Sequence, residues 1–311
     1  LVLFDWLLFG GAAAILGWCA WRLWRRESQG RLRVLGVVAA RLAVVAAALY
    51  LVFLATWGLN YRRETLAVTL GYAEDRVTPA VLEELTASAV TRLNRLFEVI
   101  EARSWPQLEE LPAELGPAFE RVQRELGASR PAPAVVPRRS LLTPYFRRAG
   151  IDGMTDPFSL QVLVNDTVLP FERPFVTAHE WAHVAGYAHE AEANFVAWLT
   201  CLEGDERMQY SGWLNLVARL LGAVPESSRE ALGARLGAGP RADYAAIRAR
   251  TSRVVPVIQR NARRLNDGYL RANRVAGGVR SYGEVLQLAV GTELGRRRWP
   301  ARDAGERPGA E

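Results

Sequence analysis

Residues 179–194 read His-Glu-Trp-Ala-His-Val-Ala-Gly-Tyr-Ala-His-Glu-Ala-Glu-Ala-Asn, and all three histidines of the 311-residue chain lie in this stretch. Its first five residues have the pattern H-E-x-x-H. On a helix, positions i and i+4 share one face, so His179 and His183 can direct two imidazole nitrogens to one metal ion. Glu180 then lies beside the ion as a candidate general base for an activated water. The pattern predicts a zinc site of the hydrolytic type.

Two neighbouring residues compete for the place of third ligand. His189 completes the longer pattern H-E-x-x-H-x-x-G-x-x-H, in which the glycine lets a third imidazole return to the ion. Glu190 instead begins an E-x-x-A-N pattern on a following helix, with Asn194 as a hydrogen-bonding partner for a ligating histidine. A straight helix would put Glu190 about 10 Å along the axis from His183, so we expect the helix to break near Gly186. We favour Glu190, because it shares one face of the predicted helix with Asn194.

Further polar residues near the motif are weaker candidates. Glu192 lies on another face of the same predicted helix and is a less favoured third ligand. Tyr210 is the nearest downstream hydroxyl that could stabilise an oxyanion, followed by Tyr269 and Tyr282. Ordinary packing in a helical core is the competing interpretation of each tyrosine.

Two apolar runs near the start of the chain predict membrane helices. The first, Val2 to Trp24, is broken only by Asp5 and Arg22, and the second, Leu42 to Leu59, carries no charge. The second helix can begin earlier, within residues 34–41, and both runs reach the roughly 20 residues that a bilayer core requires. A signal peptide would carry its positive charges before the apolar stretch, whereas here they follow it.

The distribution of arginine predicts the orientation of this hairpin. Arginines occupy positions 22, 25, 26, 31 and 33 around the connecting segment, whereas only positions 62 and 63 follow the second run. By the positive-inside bias, the connecting loop is cytoplasmic and the residues after Leu59 lie outside. We therefore expect a membrane hairpin over 1–59, an extracytoplasmic domain over 60–294, and a disordered tail over 295–311, which is rich in arginine, proline and glycine.

The predicted domain is mainly α-helical with a small β-sheet. Apolar residues at helical spacing predict helices over 78–102, 117–126, 190–202, 211–221, 227–236, 242–266 and 282–294. The segment from Asp156 to Asn165 is predicted to be a strand, because apolar residues alternate along it. In zinc peptidases, the strand before the metal-binding helix commonly forms one wall of the cleft, and its free edge can bind an extended peptide. An ordinary core strand is the alternative.

Composition argues against two other classes of site. The formal net charge is +6, but all 39 basic residues are arginines scattered along the chain, so we predict no nucleic-acid site. Cys19 lies in the first apolar run and Cys201 in the later domain. We expect neither a disulfide nor thiolate ligation of zinc.

The chain resembles a group of bacterial membrane-anchored proteins, domain-of-unknown-function family 3810, expected to be zinc metallopeptidases. The similarity is carried by Trp57-Gly-Leu-Asn-Tyr-Arg62, Thr177-Ala-His-Glu-Trp-Ala-His183, Glu190-Ala-Glu-Ala-Asn-Phe195, Tyr210-Ser-Gly212, Asn266-Asp-Gly-Tyr-Leu270 and Gly278-Val-Arg-Ser-Tyr-Gly283. The resemblance implies a gluzincin-like site, in which His179, His183 and Glu190 hold zinc. It also implies a place in the bacterial inner membrane. It names no substrate.

The function expected from these observations is a membrane-anchored zinc metallopeptidase that acts on a peptide or protein substrate, with Glu180 as general base. The alternative is a non-catalytic, membrane-tethered sensor or interaction domain that binds zinc for structure. A structural zinc site usually closes with four protein ligands, so three ligands beside Glu180 favour the enzyme. An intramembrane protease is not favoured, because the motif lies far beyond the second apolar run.

Overall fold

The computed structural model describes residues 2–24, 31–272 and 285–300. These residues are mainly helical, with one small antiparallel sheet of two strands. The predicted fold class is therefore confirmed.

The first apolar run is helical from Leu3 to Trp24, in three segments: α1 (Leu3–Asp5), a π-helical segment (Trp6–Gly10) and α2 (Gly11–Trp24). The second run forms α3 (Arg31–Thr56), and a 3-10 segment, Gly58–Arg62, follows it. Within these helices, Leu3–Arg22 and Leu35–Thr56 are long and apolar enough to cross a membrane, and both are almost wholly exposed. The two helices therefore suggest membrane anchoring.

Short helices and loops surround a few long helices in the rest of the chain. Their bounds are α4 Leu66–Thr69, α5 Pro79–Ile100, α6 Leu111–Glu114, α7 Gly116–Glu125, α8 Thr143–Ala149, α9 Arg173–Val184, α10 Glu190–Leu202, α11 Glu206–Ala223, α12 Glu226–Ala234, α13 Ala238–Thr251, α14 Pro256–Ala272, α15 Val285–Gly291 and α16 Glu293–Arg297. The start of α5 is as predicted, since the Thr78 hydroxyl accepts a hydrogen bond from the Val81 amide (3.3 Å) and Pro79 occupies the first turn.

Helix α10 is the centre of the main core. Residues 191–201 are all buried, and α7, α9, α11 and α15 pack around them. Such a helix is apolar on every side, which matches its sequence after Asn194. Its first residue is Glu190, so the beginning of the most deeply packed helix places this carboxylate.

The sheet is smaller than predicted, and one of its two strands lies before the predicted segment. Strand β1 (Gly153–Thr155) pairs with β2 (Val162–Val164), so only three residues of the predicted strand from Asp156 to Asn165 are in the sheet. The prediction is wrong for residues 156–161, because the Asp156 carboxylate accepts hydrogen bonds from the amides of Phe158 (2.9 Å) and Ser159 (3.0 Å) and closes a turn. Leu160 adopts a φ of 54° there, which ends the alternation.

Two further predictions are wrong in part. The helix predicted over 242–266 is two helices, α13 and α14, since Pro256 begins a new helix and the preceding amide, that of Val255, donates to the Arg148 carbonyl (2.9 Å). The tail predicted to be disordered is folded up to residue 300: α16 is followed by Trp299, which packs against Trp198 and Trp213. Residues 301–311 lie outside the described residues.

Candidate metal centre

A glycine turn joins the two helices that carry the candidate ligands. Helix α9 ends at Val184, and Gly186 adopts a left-handed φ of 86°. The amide of Tyr187 then donates to the Ala182 carbonyl (3.1 Å), which closes the helix end. The predicted break near Gly186 is thus confirmed, and the chain reverses so that α10 begins at Glu190, beside α9.

The turn brings together His179, His183 and Glu190. The Oε2 atom of Glu190 lies 3.2 Å from Nε2 of His179 and 3.7 Å from Nε2 of His183. One donor atom from each residue lies within 4.8 Å of the other two, and the three side chains are only 10–15% exposed. Ligands about 2 Å from a tetrahedral zinc ion are about 3.3 Å apart, so this group can hold a metal ion.

Contacts behind His183 orient its ring. Its Nδ1 atom lies 2.8 Å from the Tyr187 carbonyl oxygen, so Nδ1 carries the proton and donates it, and Nε2 is left as the donor atom for a metal. The ring of Trp57 stands edge-on to His183, with centroids 5.7 Å apart. The Nδ1 atom of His179 is buried and has no hydrogen-bond partner among the described residues.

The electrostatics of the group favour a positive charge at its centre. Burial lowers the pKa of His183, but the hydrogen bond and charge of Glu190 outweigh this effect and raise the pKa to about 9. Burial raises the pKa of Glu190, yet the two histidines hold it well below its usual range. A divalent cation in the same place would satisfy the carboxylate and both imidazoles.

Glu180 lies beside this group and is buried. Burial raises the pKa of its carboxyl, although His179, His183 and a hydrogen bond from Thr155 oppose the rise. The Thr155 hydroxyl lies 2.8 Å from the Oε2 atom of Glu180 and 2.9 Å from its backbone carbonyl. Gly153, two residues earlier on the same face of β1, leaves the space that the carboxylate occupies. Sequence reasoning missed both β1 residues, because the motif contains no signal for them.

The competing third-ligand candidates make other contacts. The ring of His189 stands edge-on to Tyr61 (centroids 5.8 Å apart), and the Glu192 carboxylate accepts a hydrogen bond from the Leu66 amide (2.7 Å). Asn194 was expected to bind a ligating histidine. Instead its amide nitrogen donates to the backbone carbonyl of Glu190 (2.7 Å), and its oxygen accepts from Arg219 (3.2 Å).

The contacts of Tyr210, the first predicted oxyanion donor, are with residues outside this group. The Tyr210 ring is buried against Phe97 and Trp105, and its hydroxyl donates to Asp243 (2.5 Å). Burial and Asp243 raise the pKa of Tyr210 far above its usual value. These contacts account for the burial of Tyr210 without a role in catalysis. The side chain of Tyr269 and all of Tyr282 lie outside the described residues.

The segment after α3 forms part of the surroundings of the candidate ligands. Besides Trp57 and Tyr61, Arg63 donates from Nη1 to the Ala185 carbonyl (3.0 Å), and its guanidinium lies over the Tyr187 ring, 5.2 Å from the centroid. Sequence reasoning gave these residues no role at the site. The signal available was the aromatic and basic cluster of residues 57–63, directly after an apolar run.

The fold and site define a mainly helical protein with two apolar N-terminal helices and a His-His-Glu group that can hold a metal ion. The family described as "Protein of unknown function (DUF3810)" matches residues 1–290, and the chain belongs to this family. No curated protein matches the chain, and no solved structure matches it.

Proposed function

We propose that this protein is a membrane-anchored, zinc-dependent peptidase. The observation that carries the proposal is the placement of Glu180. Its buried carboxylate lies beside the donor group of His179, His183 and Glu190 without belonging to it. Three protein donors leave a fourth coordination position, and a carboxylate next to that position is suited to proton transfer.

The donor set supports zinc as the metal. Two imidazole nitrogens and one glutamate oxygen are the ligands of a recurring class of catalytic zinc sites. Zinc, when bound, supplies Lewis-acid polarisation of the scissile carbonyl and of the attacking water. The proton on Nδ1 of His183, held by the Tyr187 carbonyl, keeps Nε2 available as a ligand.

Glu180 performs the proton transfers of the proposed reaction. Its carboxylate takes a proton from water as the water oxygen bonds to the carbonyl carbon, and it returns that proton to the amine nitrogen as the C–N bond breaks. Thr155 holds the carboxylate in place, at 2.8 Å from Oε2. Burial raises the pKa of Glu180, which makes it a better proton acceptor than an exposed glutamate.

Among the described residues, no strand pairs with the outer edge of β1, and this free edge supports a peptide as substrate. The amide of Asp156 donates to the carbonyl of Gln161, and the amide of Asn165 donates to the carbonyl of Asp152. Hydrogen-bonded positions alternate along an antiparallel pair, so the N–H and C=O groups of Met154 point towards β2. The backbone N–H and C=O groups of Gly153 and Thr155 therefore point away from β2. The opposite edge of β2 is occupied, since Arg138 forms a parallel bridge with Leu163. We propose that an extended peptide pairs with β1 beside Glu180.

The test compares the wild-type chain with Glu180→Gln, both reconstituted in nanodiscs and loaded with zinc. Zinc content is measured by atomic spectrometry, and hydrolysis is measured on an unstructured, fluorescently labelled protein. We expect about one zinc ion per chain in both, with hydrolysis reduced by about 10²-fold or more in the variant, the usual contribution of a general base. His183→Ala is the matched control, because it should lose both zinc and hydrolysis.

Two outcomes would overturn the proposal. If Glu180→Gln hydrolyses the substrate at the wild-type rate, Glu180 is not the base. If the wild-type chain binds zinc tightly and hydrolyses no peptide bond in a diverse peptide library, the alternative of a non-catalytic zinc-binding domain stands.

A further inference from the structure

The end of α3 lies next to the candidate metal centre. The apolar span Leu35–Thr56 has 22 residues, a length of about 33 Å, which matches the roughly 30 Å of a bilayer core. A helix that spans the bilayer over these residues puts Thr56 at the membrane surface, and tryptophan is enriched at that level. Trp57, the next residue, is the one whose ring lies 5.7 Å from His183.

Two hydrogen bonds connect the ends of the apolar spans to the turn between β1 and β2. The Phe4 amide, at the start of the first apolar span, donates to Oε1 of Gln161 (3.2 Å). The Thr56 hydroxyl, at the end of the second span, donates to the Pro157 carbonyl (2.7 Å). Both acceptors belong to the β1–β2 connection, so this connection meets one end of each apolar span.

Exposed apolar surface begins at these contacts. Val2 is buried in the domain, whereas Leu3 and Trp6 are 52% and 63% exposed. Leu51 and Val52, just before the end of α3, are 65% and 48% exposed. A bilayer that covers this apolar surface reaches the β1–β2 connection, and β1 runs directly from that connection to Glu180.

We propose that the substrate of this site is the juxtamembrane segment of a membrane-anchored polypeptide, which enters along the free edge of β1. The inference rests on the proposed peptidase function. An extended chain advances about 3.3 Å per residue. The ring of Trp57, at the membrane surface, contacts His183 directly. The scissile bond should therefore lie within about six residues of the membrane surface, because six extended residues span about 20 Å.

The experiment uses the full chain in nanodiscs with a co-reconstituted substrate that has one apolar membrane helix followed by a long unstructured segment. Cleavage positions are mapped by mass spectrometry, and the same segment without its helix is assayed at equal bulk concentration. We expect cuts within about six residues of the last apolar residue, and at least a tenfold slower reaction for the free segment. Cuts clustered fifteen or more residues away, or equal rates for both substrates, would overturn the inference and leave the peptidase function intact.

A measurement without turnover separates failure of the inference from failure of the proposed function. A fluorophore is attached at Leu59→Cys, an exposed position in the 3-10 segment, and at Tyr50→Cys, an exposed position within α3. Cys19→Ala removes the partly exposed native thiol, and Cys201 is buried. We expect lipids spin-labelled at the headgroup to quench position 59 strongly, and lipids labelled deep in the acyl chain to quench position 50. Absence of headgroup quenching at position 59 would show that the site lies away from the membrane.

Discussion

Gly153 determines where the Glu180 carboxylate can lie. A Cβ atom at position 153 would be 2.6 Å from Oε1, 2.9 Å from Cγ and 3.0 Å from Cδ of Glu180. Gly153→Ala should therefore displace the carboxylate without touching the three candidate ligands. We expect hydrolysis to fall at least tenfold, a loss of about 1.4 kcal/mol of transition-state stabilisation, while zinc content stays unchanged.

The matched control is another glycine-to-alanine change in open space. A Cβ at Gly233 in α12 would meet nothing within 4 Å. Gly233→Ala should leave hydrolysis unchanged and raise stability by up to about 1 kcal/mol, the helix-propensity difference. If Gly153→Ala retains full activity, the space beside Glu180 is not what positions the base.

Some residues of the candidate site can be predicted from the local sequence pattern, whereas others are brought there only by the fold. His179, Glu180 and His183 follow from one helical turn, whereas a short pattern after a glycine favours Glu190 as third ligand and leaves His189 as an alternative. Thr155 acts on Glu180 from a separate strand, and nothing in the motif selects it among the chain's other hydroxyls. The Tyr187 carbonyl that orients His183 is a backbone group, which no side-chain pattern can report.

At the scale of elements, Arg250 of α13 ties β1 to the segment before α9. Its guanidinium donates to Asp152 (2.5 Å) and to Glu172 (2.7 Å), with the Arg250 and Glu172 side chains only 10% and 12% exposed. Burial raises the pKa of Glu172, although Arg250 opposes the rise. Arg250→Met should cost about 3 kcal/mol of unfolding free energy at neutral pH, because it leaves Glu172 buried without its cation.

This cost should shrink in acid. Without Arg250, the pKa of Glu172 in the folded chain lies still further above its unfolded value of about 4.3. The folded chain then binds a proton that the unfolded chain does not, so the stability of the variant rises relative to wild type as the pH falls through the folded pKa. The measurement is the thermal unfolding of both chains in nanodiscs, at pH values from neutral down to the onset of acid unfolding. In Glu172→Gln/Arg250→Met the recovery should be absent, and its persistence would assign the effect to another group.

Two of the mispredicted elements, the helix over 242–266 and the strand over 156–165, contain visible signals against the prediction that hydrophobic periodicity outweighed. Pro256 lies inside the predicted helix over 242–266, where proline has no backbone N–H to donate to the helical hydrogen-bonding pattern, and it marks the break. Asp156-Pro157 begins the predicted strand with a turn-forming pair. The order of residues 295–300 had no local signal, since Trp299 is fixed by tryptophans of α10 and α11 that are distant in sequence.

At the scale of the whole molecule, Asp5 is a charged residue at the start of an apolar helix, and its contacts with the following domain explain why it is tolerated there. It is buried, and its carboxylate accepts hydrogen bonds from the Ser140 hydroxyl and the Leu141 amide. The start of the first helix is therefore attached to the same domain that follows α3. If both helices cross the bilayer, the segment that connects them lies on the opposite side from the domain.

Cysteine labelling tests this arrangement and its orientation. Ser227→Cys lies at an exposed position of α12, and Ser28→Cys lies in the connecting segment, outside the described residues. Because arginines flank the connecting segment, the positive-inside bias places it in the cytoplasm and the domain outside. A membrane-impermeant maleimide added to intact spheroplasts should label position 227 at once and position 28 only after permeabilisation, in a Cys19→Ala background. Labelling of both positions before permeabilisation would contradict a membrane-spanning hairpin, and labelling of position 28 alone would reverse the orientation and place the candidate metal centre in the cytoplasm.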